Sequence, residues 1–527
     1  MGQALDYAVG LTLLLFSGYV VHFLYNFGSR DKRLPPGPPT IPVLGNAHLL
    51  VGSDLEKKFK KWAEEYGNIF SVKVGAGTLI FLNDKRTTHD LLDKRSAIYT
   101  DRAKDQQIST TFAENFALMD ANSTWRAHRK IAAHFLAPKN LDASIMVIQE
   151  AETSQLMFDL LKTPEDFFGH VKRVTSSVAS IVIFGFRAPT VDSWWATCVY
   201  EAIDQINLAS TPGTYLPIEE FPILKYIPSF LAPSKARATT CFDTVTAIWS
   251  EARARVVARR QKGDHRESLA DRIIAGELKS DQEMSVPQES NFLGTLHQGA
   301  ADTTSSMILT SILHLAKHQW VQAKAQIELD RVCGDSRMPT WQDFKDLPYI
   351  NCIVKEALRV KPVLPAGLPV RVSRDDYFDG YLIPKDAAIF NPPYTLHHDA
   401  KLYPDPLTYN PDRYLNHPLL ATSYAGSPDY ENRDHYAYGA GRRICVGIHL
   451  AERTQWRIIA RLLWAFDIKP MVDEKGKEEE LDTDAYEKGL LIVPKKFKVR
   501  FIPRSEKHLE VIQREFETAE AFLKKWE

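Results

Sequence analysis

Hydrophobic residues follow a helical period along most of the chain. Apolar side chains recur at three- and four-residue steps, which predicts helices at 55–66, 143–161, 240–260, 291–333 and 350–360. Strand-like apolar runs are short, at 70–74, 78–82, 490–493 and 497–502, and the residues between the last two runs predict a hairpin. The pattern predicts a mainly helical fold with small β-sheets. No change of composition divides the body, so we expect one large domain over residues 40–504.

The N-terminus differs from this body. No residue from 7 to 29 is charged, and the run is long enough for a helix that crosses a bilayer core of about 30 Å. Three basic residues follow within four positions, which places the rest of the chain on the cytosolic side. A cleaved signal peptide would have a basic start and a shorter run, and a buried core helix is the other alternative. We expect a transmembrane anchor at 1–29 and a stiff, basic and proline-rich linker at 30–39.

The last residues, 505–527, form a charged tail. Apolar side chains recur there at helical spacing: Leu509, Ile512, Phe516, Ala519, Leu523 and Trp526. The spacing predicts an amphipathic helix. This helix either docks on the body or contacts a membrane or a partner.

Charge and cysteine content exclude several classes of protein. The 65 Lys and Arg residues balance 66 Asp and Glu residues, so we expect no nucleic-acid partner. The five cysteines are odd in number, far apart and without a CxxC pair, which disfavours a disulfide framework or a closed zinc site.

One cysteine lies in a glycine-rich stretch, Tyr438-Gly-Ala-Gly-Arg-Arg-Ile-Cys445-Val-Gly447, which precedes a helical run at 448–464. Glycines permit unusual backbone angles, so backbone N–H groups can point at the sulfur. The two arginines add positive charge, which favours a thiolate. A thiolate in such a loop is a suitable iron ligand. The alternative is a buried structural cysteine after a turn.

This stretch resembles the haem-binding signature of the cytochrome P450 superfamily, FxxGxRxCxG. Gly441, Arg443, Cys445 and Gly447 match in register, and Tyr438 stands at the aromatic position, where its hydroxyl needs a partner. The resemblance covers essentially the whole chain. It implies the cytochrome P450 fold, with one haem domain in which the Cys445 thiolate ligates the iron of haem b.

A second matching segment is ExxR, at Glu356 and Arg359, which lie one helical turn apart and can form an ion pair. Arg413 stands where the family has a third, joining arginine. The resemblance gives these residues a structural role as support for the loop that carries the thiolate.

A third segment, WxxxR at Trp125 and Arg129, implies contacts with a haem propionate, together with Arg443. A further family position that often holds His or Arg aligns with Val370, which leaves that contact in doubt. The neighbouring Arg371 is a candidate substitute.

The fourth segment, Gly299-Ala-Ala-Asp-Thr-Thr304, resembles the oxygen-activation motif [AG]GxDT[TS], with Ala300 in place of the second glycine. A threonine within a helix can bond the carbonyl one turn back and loosen the ladder. The resemblance implies that Asp302 and Thr303 hold water and deliver protons during catalysis.

The resemblance implies a monooxygenase that inserts one oxygen atom from O2 into a lipophilic small molecule. Electrons would come from NADPH through a separate cytochrome P450 reductase, because no nucleotide- or flavin-binding motif is visible. Arg126, Lys130 and Arg442 are candidates for its docking patch. The location implied is the endoplasmic reticulum membrane, with a single span and a cytosolic catalytic domain.

Family topology also suggests residues of the substrate pocket: Phe112, Phe116, Ala301, Val363, Leu364, Leu490 and Leu491. These residues are apolar and favour a lipophilic, even polycyclic, substrate. The stretch Asn432–Tyr436 resembles fungal enzymes of secondary metabolism, whose substrates are terpenoids, polyketides or alkaloids.

Three alternatives stay open at this point. A haem-thiolate enzyme could catalyse ring coupling, desaturation or isomerisation without net oxygen insertion. A non-catalytic haem sensor would need an output module, and none is visible. A membrane-tethered helical protein without haem would leave Cys445 merely buried.

Overall fold

The structure, a computed structural model, describes residues 2–52, 54–102, 106–210, 215, 217–425, 427–487, 489 and 491–527. For residues 2–5, 106, 107 and 229 it describes the backbone alone. The helices are, in chain order, α1 (Gly2–Asn26), α2 (Leu55–Tyr66), α3 (Lys85–Thr88), α4 (Gln106–Thr111), α5 (Ser123–Phe135), α6 (Pro138–Asn140), α7 (Met146–Lys162), α8 (Phe167–Phe184), α9 (Trp194–Ser210), α10 (Pro233–Gln261), α11 (Leu269–Ile274), α12 (Val286–Lys317), α13 (Gln319–Val332), α14 (Pro348–Val360), α15 (Pro393–His397), α16 (Ala421–Tyr424), α17 (Ile448–Ala465) and α18 (Glu506–Leu523).

The strands are few and short. They are β1 (Ile69–Val74), β2 (Gly77–Leu82), β3 (Tyr99–Arg102), β4 (Val370–Val372), β5 (Asp376–Phe378), β6 (Tyr381–Ile383), β7 (Ala388–Phe390), β8 (Phe466–Pro470), β9 (Tyr486–Glu487), β10 (Val493–Pro494) and β11 (Val499–Pro503). The largest sheet has the order β1-β2-β7-β4-β3, in which β2 and β7 are parallel and the other pairs antiparallel. The prediction of a mainly helical fold with small sheets is confirmed.

The predicted helices exist, with one split. The predicted helix at 55–66 has the same limits as α2, but the predicted helix at 291–333 is two helices that meet at His318. His318 has φ −110° and ψ 73°, which is not helical, although the local sequence contains no proline or glycine that would announce the break. Packing therefore decides this boundary rather than local propensity.

The predicted hairpin between 490–493 and 497–502 is wrong. Strand β10 pairs antiparallel with β9, and β11 pairs antiparallel with β8, which follows α17 directly. The predicted strand at 497–502 corresponds to β11, whereas β10 shares only Val493 with the predicted strand at 490–493. Each of the two strands has its partner elsewhere along the chain.

Helix α12 forms the centre of the body. It begins with a capping box, in which the Ser285 and Gln288 side chains each accept a hydrogen bond from the other residue's backbone N–H. It packs against α8, α10, α14 and α17. Most of its side chains from 304 to 316 are buried, so its position is set by packing on all sides.

Helix α1 is exposed along its apolar length. The segment Asp6–Asn26 has a mean hydropathy of 1.7 and none of it is buried inside the protein, so by length and composition it could cross a membrane. After it, the Arg30 guanidinium donates to the Gly37 carbonyl at 2.8 Å and to the Ser71 hydroxyl at 3.0 Å. These bonds hold the proline-rich linker against strand β1.

The tail helix α18 packs against α7, where the Phe158 and Phe516 rings stack at 3.9 Å. Its end is held by Arg187, whose N–H donates to the Trp526 carbonyl at 2.9 Å and whose guanidinium pairs with Glu527 at 3.1 Å. Docking on the body therefore describes this tail better than a free amphipathic surface. The proposed domain boundaries themselves stay predictions.

Candidate functional site

The loop that carries Cys445 is closed by its own backbone. Gly439 and Gly441 have φ of 78° and 63°, left-handed values that glycine adopts at little cost. The Cys445 N–H donates to the Tyr438 carbonyl at 2.9 Å. A Cβ on Gly441 would lie 2.2 Å from the Leu92 carbonyl oxygen, so no side chain fits there. The sequence of the loop therefore forces the turn that presents the sulfur just before α17.

Gly447 and Tyr438 complete this loop. The Gly447 N–H donates to the sulfur of Cys445, and a Cβ on Gly447 would lie 3.9 Å from that sulfur, an ordinary contact. The Tyr438 hydroxyl, for which the sequence required a partner, accepts a hydrogen bond from Gln455 Nε2 at 3.2 Å.

Cys445 differs from the other four cysteines. Those four are buried, and burial raises the pKa of each thiol, to about 12 for Cys198 and about 11 for Cys333. Cys445 is exposed, although the loop surrounds it. Burial raises the pKa of the Cys445 thiol, while the Gly447 N–H and the Arg129 guanidinium oppose that rise. A cationic ligand partner such as iron would complete the shift towards the thiolate.

The ExxR pair is a fully buried scaffold. Arg359 donates to both carboxylate oxygens of Glu356, at 2.7 and 2.8 Å, and neither side chain is exposed. Arg413 approaches the same carboxylate at 3.4 Å, and the Asn410 N–H donates to it at 2.8 Å.

This scaffold reaches the cysteine loop through one histidine. Arg359 donates to the His397 carbonyl at 3.0 Å, and His397 Nε2 accepts from the Tyr436 N–H at 2.7 Å. The Tyr436 carbonyl accepts from the Gly439 N–H at 2.9 Å. A continuous path of hydrogen bonds therefore leads from α14 to the glycine turn before Cys445.

Three arginines converge beside this loop. Arg443 donates to the Thr100 and Met119 carbonyls at 2.7 and 2.6 Å, and its guanidinium lies 4.1 Å from the Trp125 ring centre. Arg129 donates to the Ile444 carbonyl at 2.5 Å.

The third arginine, Arg102, donates to the Ala117 carbonyl at 2.8 Å and to the Pro369 carbonyl at 2.9 Å. Within the described residues, no carboxylate lies at ion-pair distance from Arg102, Arg129 or Arg443.

The electrostatics of this arginine cluster are unfavourable without an anion. Burial, followed by repulsion from Arg102 and Arg129, lowers the pKa of Arg443 to about 9. Burial and repulsion from Arg129 lower the pKa of Arg102 to about 10. Arg443 Nη1 is buried without a hydrogen-bond partner in the described part of the chain. An unpaired buried charge is costly, so the cluster fits a ligand with carboxylates, such as the two propionates of haem.

Arg102 was not foreseen from the sequence, whereas Arg371 was considered. The structure places Arg102 opposite Val370 in the β3–β4 pair, which is the aligned family position that lacks a basic residue. Arg371 pairs with Asp120 at 2.9 Å and with Asp386 at 2.8 Å, so its charge is already neutralised. No spacing in the sequence announces Arg102, because strand pairing alone brings it to the site.

The oxygen-activation segment lies within an unbroken part of α12, with Ala300 accommodated. The Thr303 hydroxyl donates to the Gly299 carbonyl at 2.7 Å, one turn back. Gly299 is exposed, and a Cβ added to it would meet nothing within 4 Å, which places open space beside this face of a central helix. Asp302 is buried, and burial, opposed by Lys172 and reinforced by Asp204, raises the pKa of its carboxyl to about 6.

The predicted pocket residues fall into two clusters. Phe112, Phe116 and Ala301 are buried together with Trp125. Val363, Leu364 and Leu491 belong to a second cluster that includes Met307. Leu490 lies outside the described residues. The Ser306 hydroxyl donates to the Ile492 carbonyl at 2.7 Å, which ties this C-terminal segment to α12.

The three cations suggested for a docking patch are exposed. Lys130 pairs with Asp281 at 2.8 Å, and Arg126 donates to the Ala121 carbonyl at 2.8 Å. Arg442 lies on the cysteine loop itself. Their role stays a prediction.

An exposed cysteine in a glycine loop, beside arginines that have no anion among the described residues, is the arrangement expected of a haem-thiolate protein. The chain belongs to the cytochrome P450 family, whose model, described as Cytochrome P450, matches residues 35–501.

The similar curated proteins are fungal. Cytochrome P450 monooxygenase macC of Penicillium terrestre is 37% identical over 500 residues, which cover 93% of each chain. Cytochrome P450 monooxygenase yanC of Aspergillus niger is 37% identical over 97% of this chain and 98% of its own. Cytochrome P450 monooxygenase patI of Aspergillus clavatus is 36% identical over 97% of this chain and 96% of its own. The protein is therefore an oxidoreductase of the cytochrome P450 monooxygenase type.

Proposed function

We propose that this protein is a membrane-anchored monooxygenase that inserts one oxygen atom from O2 into a small molecule of fungal secondary metabolism. The observation that carries the proposal is the exposed Cys445 beside three arginines that have no anion among the described residues. Similarity to the fungal P450 monooxygenases supports the metabolic context.

Haem b would be held by residues from three parts of the chain. Cys445 would ligate the iron, while Trp125, Arg129 and Arg443, joined by Arg102, would bind the propionates. Haem iron with a cysteine thiolate supplies the capacity to activate O2. The loop around Tyr438, Gly441 and Gly447 positions the sulfur, and Glu356, Arg359 and Arg413 support the loop.

Asp302 and Thr303 of α12 would hold and transfer the protons that the reaction consumes. The pKa of about 6 lets the Asp302 carboxyl both take up and release a proton near neutral pH. The Thr303 hydroxyl, one residue on, borders the open space beside Gly299 and can orient water there.

Location and partners follow from α1 and from the reaction. We propose that α1 anchors the chain in the endoplasmic reticulum membrane, with a single span and the body in the cytosol. Electrons would come from NADPH through a separate cytochrome P450 reductase, with Arg126, Lys130 and Arg442 near its docking surface.

The test of haem ligation is a difference spectrum of the reduced, carbon monoxide-bound protein. Cys445→Ala should abolish the thiolate-type absorption band, because no other described cysteine is accessible. Cys333→Ala, which removes a buried cysteine at the end of α13, is the matched control and should keep the band. A thiolate-type band that survives in Cys445→Ala would refute the ligand assignment.

The test of oxygen insertion uses Thr303→Ala co-expressed with a reductase. The thiolate-type band should persist, while the yield of product per NADPH consumed should fall by about tenfold or more, because proton delivery is impaired. Metabolite profiling under ¹⁸O2 distinguishes insertion from ring coupling, desaturation or isomerisation. Product without the heavy isotope would favour those alternatives.

A further inference from the structure

A narrow cavity lies beside the first half of α12. Its volume is about 10 Å³, room for a single oxygen atom of water or of a ligand. Its walls come from the segment after α4 and from α9, α10 and α12, and the lining residues are Thr111, Phe112, Glu114, Asn115, Ile206, Phe242, Val245, Trp249, Asn291, Thr295 and Gln298. Only one of the apolar residues predicted for the substrate pocket, Phe112, is among them.

Three polar atoms of this wall have no hydrogen-bond partner among the residues that the structure describes. The Thr111 hydroxyl, the Trp249 indole N–H and the Gln298 side-chain NH2 are all buried, without a hydrogen bond among the described residues. A buried donor that is left without an acceptor destabilises the folded protein. Three such groups on one small cavity therefore point to a partner that is not part of the protein.

The other polar side chains of the wall are mostly engaged. Asn291 Nδ2 donates to the Thr246 hydroxyl at 3.1 Å, and the Thr295 hydroxyl donates to the Asn291 carbonyl at 2.7 Å. Glu114 adds a carboxylate at the wall, which disfavours an anionic ligand. Because an indole N–H can only donate, the missing partner is a neutral acceptor.

The position of Trp249 depends on a glycine of α12. A Cβ on Gly294 would lie 2.2 Å from the indole ring, so the ring occupies the space that a side chain would fill. Trp249 is fully buried, which fixes the direction of its N–H.

One wall of this cavity and the proposed oxygen-activation site lie on the same helix, α12. Thr295, Gly299 and Thr303 follow one another at four-residue steps and share a face of α12. Thr295 lines the cavity, and Thr303 follows about two turns further along the same face of α12. A molecule that has its oxygen in the cavity and extends along this face would therefore place its other side near Thr303.

We propose that Thr111, Trp249 and Gln298 bind one carbonyl or hydroxyl oxygen of the substrate and so present its opposite side for oxidation. The inference rests on the proposed monooxygenase function and names its substrate class: a neutral, oxygen-bearing molecule rather than a plain hydrocarbon. Glu114 and the small volume of the cavity disfavour an acid or a bulky group at this end.

The test compares two probes of equal shape, acetophenone and ethylbenzene, through the shift that binding causes in the haem absorption spectrum of the full-length holoenzyme. The ketone should bind about tenfold more tightly than the hydrocarbon, which is the effect of one good hydrogen bond. Trp249→Phe and Gln298→Leu should each reduce that ratio severalfold and leave ethylbenzene affinity nearly unchanged. Trp195→Phe, a buried tryptophan outside the cavity wall, is the matched control and should keep the ratio.

Two outcomes would overturn the inference. The first outcome is that acetophenone binds no more tightly than ethylbenzene, which includes the case in which neither probe binds. The other is a ratio that survives in Trp249→Phe and in Gln298→Leu, as expected if the three donors hold only a structural water. Both outcomes leave the proposed function intact as long as the parent protein has the thiolate-type carbon monoxide band. Loss of that band in the parent protein would instead refute the function.

Discussion

Arg359 and Arg443 belong to two groups of arginines near the cysteine loop, and these groups differ in their counter-charge. Arg359 has Glu356 at 2.7 Å, and hydrogen bonding to this carboxylate raises the pKa of its guanidinium despite burial. Among the described residues, Arg443 has only carbonyl oxygens and the Trp125 ring as partners, and burial lowers the pKa of its guanidinium to about 9. The protein holds both guanidinium groups in fixed positions, but only the charge of Arg359 is paired with a carboxylate.

This difference in counter-charge distinguishes an arginine that supports the fold from an arginine that binds a ligand. A buried ion pair that is complete within the chain contributes to the folded state whether or not a ligand is present. A buried cation that lacks its anion destabilises the free protein, and it gains stability when the anion binds. Neighbouring arginines in one fold can therefore be assigned opposite roles from their partners alone.

The largest expected effect comes from breaking the complete pair. Glu356→Ala should lower the free energy of unfolding by about 3–5 kcal/mol, because it leaves the Arg359 charge buried and unpaired. Denaturant unfolding of the full-length protein in detergent measures this. Asp335→Ala, which removes the exposed partner of Lys507, is the control and should cost less than about 0.5 kcal/mol. Equal costs for the two variants would contradict the scaffold role.

Glu452 shows the opposite situation to that of Arg443: it is a buried carboxyl group that has no arginine partner among the described residues. Its Oε1 accepts the Ala421 N–H at 2.5 Å, its Oε2 has no partner among the described residues, and burial raises its pKa from 4.5 to about 7. Since the folded protein holds this proton more tightly than the unfolded chain, the free energy of unfolding should fall as pH rises from 4.5 to 7, by about 3 kcal/mol.

Glu452→Gln should remove that part of the pH dependence, because an amide does not titrate. Denaturant unfolding of parent and variant at pH 5 and pH 8 measures the difference. An identical slope with pH in both proteins would show that the Glu452 carboxyl is not protonated in the folded state.

The smallest expected effect on the stability of the fold comes from the arginine cluster of Arg102, Arg129 and Arg443. Arg443→Leu should speed haem release by about tenfold or more, the loss of one charged hydrogen bond of about 1.5–3 kcal/mol. It should leave the haem-free protein equally stable or more stable, since a repelling buried charge is removed. Transfer of haem to an acceptor globin measures release, and Arg442→Leu, at the exposed neighbouring position, is the control. Equal release rates for the two variants would contradict the propionate assignment.

Local signals in the sequence predicted most helices well. The segment 55–66 has the amphipathic pattern of a surface helix and ends at Gly67, whose φ of 97° suits glycine, so its limits were predictable. The cysteine loop was also predictable, because Gly439 and Gly441 are needed for its turn. Such features depend on neighbours within a few residues.

Strand partners and site members from distant segments were not predictable. Strands β10 and β11 looked like a hairpin but pair with β9 and β8, because register depends on which surfaces the body leaves open. Arg102 carries no distinguishing pattern and reaches the site only through β3. The apolar residues predicted for the pocket missed Trp249 and Gln298, whose unpaired donors are visible only once their surroundings are known.

The sequence by itself determined the family, the helical body, the candidate anchor and the cysteine loop, because these follow from short-range patterns of residue type. Only the tertiary structure decided which arginines have a carboxylate partner and which have none among the described residues. It also decided which buried hydrogen-bond donors have no acceptor there. The physical reason is that the cost of burying a charge or a donor depends on the other groups that folding brings within a few ångströms, and those groups lie far apart along the chain.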